Sequence, residues 1–204
     1  MALLDELMES LRCLPGVGPK SAQRMAFHLL DRDREGGLRL AEALARAVRE
    51  IGQCQLCRNF TEAELCELCV DARRDASLVC VVENSSDVVN INRAAGFRGR
   101  FFVLHGRISP MDGIGPAELG LELLAARLRE EPIAELILAT STTMEGEATA
   151  HYLCELADEA CAGRAQPIAV SRLAHGIPLG GDLDYVDGGT LAHALNSRMR
   201  LPAR

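Results

Sequence analysis

Apolar residues recur at spacings of three and four positions along the first fifty residues, which is the pattern of amphipathic helices. One helix is predicted to end before residue 14, a second to cover residues 19–30, and a third to follow a polar loop at residues 31–37. The side chains predicted to face inward are Leu4, Leu7, Met8 and Leu11 in the first helix, Ala22, Met25, Ala26 and Leu29 in the second, and Leu40, Leu44, Val48 and Ile51 in the third. Residues 1–53 are therefore expected to be helical.

A turn rich in proline and glycine, Leu-Pro-Gly-Val-Gly-Pro-Lys at residues 14–20, separates the first two helices. Gly16 and Gly18 permit positive φ angles, and the second proline suits the first turn of a helix, where its missing N–H is not needed. Such a turn directs free backbone N–H groups outward beside a helix N-terminus, and these groups favour an anion. Lys20 and Arg24 lie one helical turn apart and add positive charge. We expect these four residues to bind nucleic-acid phosphates without reading base sequence. A plain helical hairpin is the alternative.

From residue 78 onward, short apolar runs alternate with amphipathic segments. The predicted strands are residues 78–82, 100–104, 133–139 and 167–170, and the predicted helices are residues 85–95, 119–129 and 148–162. This alternation predicts βαβ units and a mainly parallel sheet with right-handed crossovers. The first run contains no polar residue, as expected of a strand buried on both faces. The fold class predicted for the chain is therefore multi-domain α/β.

Three acidic positions are predicted at one edge of this sheet. Glu83 ends the first strand, Asp112 lies in a glycine-rich loop at residues 106–116, and Glu145 lies in a polar loop at residues 140–147. Ligands of parallel sheets bind beyond the carboxyl ends of the strands. Carboxylates there could hold Mg²⁺ through hard oxygen ligands or could bind a protein partner. We favour the partner surface.

Two Cys-x-x-Cys pairs, separated by eight residues, stand between the helical and the α/β regions. Each pair places two sulfurs on one side of a tight turn, so the two pairs supply a closed tetrahedral Zn²⁺ site. The loop between them is too short for a hydrophobic core, and metal binding must therefore supply much of the local folding free energy. A disulfide pair and a redox dithiol are the alternatives, but the spacing favours structural zinc. The predicted ligands are Cys54, Cys57, Cys66 and Cys69.

Composition and charge limit the classes of protein to which the chain can belong. The chain has 204 residues, of which 48% are hydrophobic and 25% charged, which are globular values. No stretch approaches the roughly 20 apolar residues of a membrane span, and the acidic N-terminus is unlike a signal peptide. Eight cysteines in such a chain indicate a reducing cytoplasm, and the remaining four, Cys13, Cys80, Cys154 and Cys161, are expected to be buried small hydrophobes. Because the net charge is −7, any phosphate contact must be local.

The acidic positions resemble those of a Toprim domain, the fold shared by primases and topoisomerases. In the enzymes, a glutamate after the first strand and an Asp-x-Asp after a later strand hold the metal. Glu83 matches the first, whereas Glu145-Gly146-Glu147 only approximates the second and is displaced from its strand by residues 141–144. Two hypotheses follow, a non-enzymatic DNA clamp and a Mg²⁺-dependent phosphoryl-transfer enzyme. The imperfect acidic pattern favours the first.

The complete order of motifs resembles the RecR family of bacterial recombination mediators over essentially the full length. The resemblance is carried by the four cysteines and by Leu-Pro-Gly-Val-Gly-Pro-Lys-Ser-Ala-Gln-Arg-Met-Ala at residues 14–26, Ile-Ser-Pro-Met-Asp-Gly-Ile-Gly-Pro at 108–116, Glu-Gly-Glu-Ala-Thr-Ala at 145–150, and Leu-Ala-His-Gly-Ile-Pro-Leu-Gly-Gly-Asp-Leu at 173–183. It implies a helix-hairpin-helix region, a zinc finger and a Toprim domain in one chain. We place these at residues 1–53, 54–69 and 77–173, followed by a C-terminal loop and helix at 174–204 that contacts another subunit.

The same resemblance implies one structural Zn²⁺ per subunit and a ring-shaped homotetramer that can encircle DNA. It implies a cytoplasmic, nucleoid-associated protein that works with RecO and RecF proteins to load RecA onto single-stranded DNA covered by single-strand-binding protein. The DNA-binding positions of the family carry over to Lys20 and Arg24. The acidic positions, implicated in partner binding rather than cleavage, carry over to Glu83, Asp112 and Glu145.

The tail after residue 171 offers little chemistry of its own. His175 lies near several carboxylates, but no nucleophile lies beside it in the sequence, so a structural role in a loop is expected. A short helix is predicted at residues 190–199, with Leu191, Ala194 and Leu195 facing inward. An apolar helix near a chain end is typical of a contact with another subunit.

Overall fold

A computed structural model of the chain describes residues 2–94, 96–162, 164, 166–174, 176–177, 180 and 182–197. It separates into two compact units, Met1–Gly52 and Gln53–Arg204. Within the described stretches, no helix combines the length and the apolar character needed to cross a membrane. His175 and the last residues of the predicted final helix, 198–199, lie outside the described residues.

The first unit consists of three helices, α1 (Ala2–Leu11), α2 (Pro19–Asp31) and α3 (Arg34–Glu50). The prediction of a polar loop up to residue 37 is wrong, because α3 begins inside that stretch. The Asp33 side chain caps α3 by accepting a hydrogen bond from the backbone N–H of Gly36 at 2.7 Å. A Cβ atom at position 36 would lie only 2.0 Å from an Asp33 carboxylate oxygen, so glycine lets the cap approach. The cap offsets the low helix propensity of the Gly36-Gly37 pair.

The side chains predicted to face inward in α1 are half-buried and none is fully buried. In α2, Ala22 and Ala26 are fully buried as predicted, and Leu29 is half-buried. The prediction is wrong for Met25 and for the whole apolar stripe of α3. Those residues are all exposed, namely Met25, Leu40, Leu44, Val48 and Ile51. Val48 is the extreme case at 76% exposure. The periodic pattern correctly identified an apolar helical face, but periodicity does not say whether the same chain covers that face.

The second unit begins with the cysteine-rich segment and continues into an α/β domain. Two short strands, β1 (Gly52–Gln53) and β2 (Phe60–Thr61), pair with each other and are followed by the single-turn helix α4 (Glu67–Val70). The remaining elements are β3 (Asp75–Val82), α5 (Ser85–Ala94), β4 (Gly99–Val103), α6 (Leu121–Glu130), β5 (Glu135–Ala139), α7 (Met144–Ala160), β6 (Ala169–Arg172), a 3-10 turn (Leu183–Tyr185) and α8 (Gly188–Asn196). The predicted multi-domain α/β fold is confirmed.

The four long strands form a parallel sheet in the order β4-β3-β5-β6. One face packs against α6 and α7, where Phe102, Leu124 and Leu153 are fully buried in a common cluster. The other face packs against α5 through Phe101 and Val88. The strand carboxyl ends all lie on one edge, which places the segments after β3, β4, β5 and β6 near one another.

Two further expectations need correction. Helix α7 begins at Met144 rather than at residue 148, because Thr143 caps it by accepting a hydrogen bond from the backbone N–H of Gly146 at 3.2 Å. Glu145 therefore lies in the first turn of a helix, where a carboxylate is favourable, and not in a loop. Among the other cysteines, Cys80 is buried as predicted and Cys154 and Cys161 are half-buried. Cys13 is exposed, since it lies in the turn that follows α1.

Candidate functional sites

The turn between α1 and α2 has the geometry expected of an anion-binding hairpin. Gly16 adopts φ +78°, in the left-handed region that glycine occupies without strain. Gly18 is the N-cap of α2 in an extended conformation, and no side chain caps the helix there. Pro19 occupies the first helical turn. The backbone N–H groups of the first turn are therefore left for an external acceptor.

Two cations flank these free N–H groups. Lys20 and Arg24 are both exposed and lie one turn apart on α2. Neither forms an ion pair or a side-chain hydrogen bond with a residue that the structure describes. The structure thus brings the four predicted positions, Gly16, Gly18, Lys20 and Arg24, onto one end of one helix.

The four cysteines of the two Cys-x-x-Cys pairs form one buried cluster. Their sulfur atoms all lie within 4.8 Å of one another, and the Sγ atoms of Cys57 and Cys66 are 3.4 Å apart. This is the one group of three or more potential metal-ligating residues among those described. No cysteine of the chain forms a disulfide, so the disulfide alternative is not supported. Four soft sulfur ligands at this spacing fit one structural zinc per chain.

Hydrogen bonds within the cluster shift the pKa values of its thiols in opposite directions. Hydrogen bonds from the thiols of Cys57 and Cys69 lower the pKa of Cys66. The backbone N–H of Cys66 also donates to the Cys54 sulfur at 3.3 Å. Hydrogen bonding to Cys66 raises the pKa of Cys57 to about 12, and hydrogen bonding to Cys57 raises the pKa of Cys69. Burial likewise raises the pKa of the isolated Cys80 thiol to about 12. The cluster therefore loses a proton most readily at Cys66, and a metal must displace the remaining thiol protons.

The first cysteine turn is joined to the sheet through its backbone carbonyls. The carbonyl of Leu56 accepts a hydrogen bond from the Arg127 guanidinium at 2.9 Å. The carbonyl of Cys57 accepts one from the backbone N–H of Val103 at 2.9 Å. Arg127 is only 3% exposed, and an ion pair of 2.8 Å with Glu131 balances its charge. The zinc site is thus built against β4 and α6 rather than on a separate module.

Arg58 makes the most extensive contact between the cysteine-rich segment and the sheet domain. Its guanidinium donates to the carbonyls of Leu104 at 3.2 Å and Glu118 at 3.0 Å, and also to the carbonyl of Leu119. Its own carbonyl lies 2.6 Å from Nε2 of His105, and because a carbonyl only accepts, that nitrogen carries the proton. Arg58 thereby connects the two ends of the loop that carries Asp112.

Glu83 lies at the end of β3 and is largely buried. One carboxylate oxygen accepts a hydrogen bond from the backbone N–H of Ser141 at 2.7 Å. This bond joins the carboxyl ends of β3 and β5. The nearby Thr140 hydroxyl is buried without a hydrogen-bond partner among the described residues. Glu83 therefore contributes less accessible charge to this edge than its sequence position indicates.

The loop after β4 is fixed to α7. Ser109 pairs with Ile114 in an isolated bridge, and the Ser109 hydroxyl donates to the Asp112 carboxylate at 2.7 Å. The backbone N–H of Ile108 donates to the Thr149 hydroxyl at 2.9 Å, and that hydroxyl in turn donates to the Glu145 carbonyl at 2.7 Å. These bonds bring the segment of Asp112 next to the first turn of α7.

Glu145 and Asp112 share one electrostatic environment. Hydrogen bonds from the Glu145 backbone and from Thr143 lower the pKa of Glu145, as does the charge of Arg107, whereas the charge of Asp112 opposes the shift. Glu147 is bound to the Arg172 guanidinium at the end of β6. The structure therefore brings Asp112 and Glu145 together as accessible carboxylates, with Glu83 buried beneath the same edge.

Several residues of these sites escaped sequence reasoning. Arg58 and His105 both have positive φ angles, of 63° and 59°, but neither lies in a turn motif that reveals this. Arg127 follows the i, i+4 spacing of an ion pair with Glu131, which is a visible signal. Nothing in that spacing shows that the pair is buried.

Family models match the chain from residue 4 to residue 199. A model described as RecR, helix-hairpin-helix matches residues 4–48, and a model of the RecR four-cysteine zinc finger domain matches residues 51–71. A Toprim domain model matches residues 77–174, and a model described as RecR, C-terminal matches residues 176–199. The zinc-finger match covers all four clustered cysteines.

Curated relatives are similar over almost the whole chain. Recombination protein RecR of Saccharophagus degradans is 57% identical over 199 residues, 98% of each chain. The proteins of the same name from Methylococcus capsulatus and Xanthomonas campestris pv. campestris are 56% and 55% identical, over 96% and 97% of each chain.

Proposed function

Because the chain belongs to the RecR family and therefore has a role in DNA recombination and repair, we propose that it is a non-enzymatic recombination mediator. In this proposal it binds single- and double-stranded DNA without sequence preference, assembles into a ring-shaped homotetramer, and acts with RecO and RecF proteins. Together they load RecA onto single-stranded DNA coated by single-strand-binding protein, at the bacterial nucleoid. Residues 1–53, 54–69, 77–173 and 174–204 are the corresponding domains.

The observation that carries the DNA-binding part is the uncapped N-terminus of α2. Free backbone N–H groups, Lys20 and Arg24 occur together there, and neither cation is committed to a described carboxylate. Such groups contact phosphates and position a protein without reading bases. The first 53 residues carry eight basic and eight acidic side chains, so binding depends on this local arrangement and not on a general positive charge.

DNA binding is tested with the double variant Lys20→Ala/Arg24→Ala. The salt dependence of duplex binding, plotted as log K against log [salt], should flatten by about 1.8, because each lost phosphate contact removes about 0.9. The matched control is Arg46→Ala/Arg49→Ala, which removes the same charge from exposed positions on α3. If both double variants bind alike, the binding site lies elsewhere.

The exposed apolar stripe of α3 supports the proposal of a homo-oligomer. Leu40, Leu44 and Val48 lie on one face at helical spacing and are exposed in the single chain. A face of this kind is normally covered by another molecule. The prediction that Leu195 of α8 faces inward is wrong, because this side chain is 66% exposed. Such exposure supports the proposed C-terminal subunit contact. A ring of four subunits is the assembly that we propose.

The acidic edge supports the proposal that RecO or RecF protein binds there. Asp112 and Glu145 are accessible, and residues 70–204 carry 13 basic and 18 acidic side chains, which disfavours phosphate. The competing hypothesis is a Mg²⁺-dependent phosphoryl-transfer enzyme. It has less support, because Glu83 accepts a hydrogen bond from Ser141 and Glu147 is bound to Arg172. Incubation of supercoiled DNA with Mg²⁺ distinguishes the two, since nicking that Glu145→Gln abolishes would establish the enzyme.

A further inference from the structure

Three large apolar side chains stand exposed at the acidic edge of the sheet. Met111 is 97% exposed in the loop after β4, and Met144 is 87% exposed at the start of α7. Leu173 is 52% exposed directly after β6. Unbranched methionine is adaptable and common on surfaces that bind proteins. Exposure on this scale at three neighbouring segments needs a physical reason.

Hydrogen bonds place these three segments side by side. Thr149 joins the loop of Met111 to the first turn of α7 through its bonds to Ile108 and Glu145. Arg172, the residue before Leu173, donates to the Ser141 carbonyl at 3.3 Å and pairs with Glu147. The three apolar side chains are thus carried by segments that are hydrogen-bonded to one another.

Each methionine stands next to an acidic residue in the sequence. Asp112 follows Met111, and Glu145 follows Met144. Arg107 is the cation whose charge reaches Glu145, and it offsets only part of the negative charge of the two carboxylates. A surface with this composition offers apolar contact and negative charge together, which complements a basic protein segment and repels nucleic acid.

We propose that Met111, Met144 and Leu173 form the apolar anchor of the partner-binding surface, which takes a protein segment whose apolar side chains are flanked by arginine or lysine. This inference rests on the proposed function, because the partner that carries this segment is the RecO protein. The apolar residues supply most of the affinity. The charges of Asp112 and Glu145 orient the partner and raise its association rate. Buried apolar side chains, rather than rim charges, carry most of the binding free energy at such interfaces.

The test uses the full-length variant Met111→Gln/Met144→Gln and the RecO protein of the same organism, titrated by calorimetry. Full burial of one methionine contributes enough free energy for roughly a tenfold change in Kd, so the double variant should bind about a hundredfold more weakly. The loss should be similar at low and high salt. The loss in Glu145→Lys, by contrast, should shrink as salt is raised, because exposed charges are screened.

Two controls separate surface effects from damage to the fold. Met25→Gln makes the same chemical change at an exposed methionine of α2 and should leave Kd unchanged. The double variant itself should retain wild-type zinc content and DNA affinity, because both side chains are exposed and make little contribution to the core.

The possible results refute the apolar anchor and the partner role separately. If Glu145→Lys weakens binding but the methionine double variant does not, the apolar anchor is wrong and the partner role stands. If the wild-type chain does not bind RecO protein, both the inference and the RecO-binding role are refuted. A hundredfold loss in the double variant, with Met25→Gln unaffected, establishes the anchor.

Discussion

The contact made by Arg58 gives a stability prediction that can be worked from the structure. Arg58→Ala removes a charged donor from the carbonyls of Leu104, Glu118 and Leu119. A hydrogen bond to a charged group contributes about 1.5–3 kcal/mol, and part of this contact is open to solvent. We therefore expect a loss of about 3 kcal/mol in the free energy of unfolding of the second unit.

Comparison of two substitutions at this position isolates the backbone contribution. Arg58 has φ +63°, a left-handed conformation that costs a residue with a side chain roughly 1 kcal/mol relative to glycine. Arg58→Gly removes the same guanidinium but relieves this cost, so it should lose about 2 kcal/mol. Arg58→Gly removes more of the side chain than Arg58→Ala, but it should lower the free energy of unfolding by less. Arg58→Lys keeps the charge but loses the planar fork, and should lie between Arg58→Ala and the wild type.

Thermal unfolding followed by circular dichroism, in chelator-free buffer with zinc content confirmed, measures these differences. For a unit of this size, 1 kcal/mol shifts Tm by about 2–4 °C, so Arg58→Gly should melt roughly 2–4 °C above Arg58→Ala. Hydrogen exchange should accelerate in residues 106–117 in both variants. If Arg58→Ala melts like the wild type, the carbonyl contacts contribute nothing. If Arg58→Gly is the less stable of the two, the argument from φ is wrong.

The remaining predictions concern the metal and the assembly. Cys57→Ser should lose zinc, measured by elemental analysis, and should become less soluble because much of the local folding free energy comes from the metal. Zinc-free wild-type protein purified without chelator would contradict the site. Val48→Asp places a charge on the exposed stripe of α3 and should reduce the mass measured by light scattering from a tetramer towards a monomer. The control Arg46→Asp, which introduces the same carboxylate at another exposed position of α3, should leave the mass unchanged.

The elements with strong local signals could be predicted from the sequence. The uninterrupted apolar run at residues 78–82 forms the C-terminal part of β3, and the glycine-proline turn forms the hairpin before α2. The cysteine spacing identified the zinc site because the ligands lie close together in the chain. Each of these features depends on short-range chemistry that a single sequence displays.

The predictions from the sequence were wrong where a helix cap and a glycine give opposite local signals, or where burial depends on a contact with a distant residue or another molecule. The Asp33 and Thr143 caps start α3 and α7 several residues before the apolar pattern begins. Asp33 and Thr143 can be recognised as caps once the start of each helix is known. Glycine has a low helix propensity, so the glycines at positions 36 and 146 argue against a helix there. The exposure of Val48 could not be predicted, because an apolar stripe looks the same whether its own chain or another molecule covers it.

Hydrogen bonds connect the zinc site to a long loop of the α/β domain, although that domain has a hydrophobic core of its own. The loop between Leu104 and Leu119 is long, and ordering it costs conformational entropy that short-range bonds such as Ser109 to Asp112 only partly offset. Arg58 binds the carbonyls at both ends of this loop, and Arg58 directly follows a zinc ligand. Metal binding of on the order of 10 kcal/mol can therefore hold a loop that the sheet alone holds weakly. We therefore expect zinc binding to stabilise the loop that carries Met111 and Asp112, which belongs to the surface that the partner is proposed to bind.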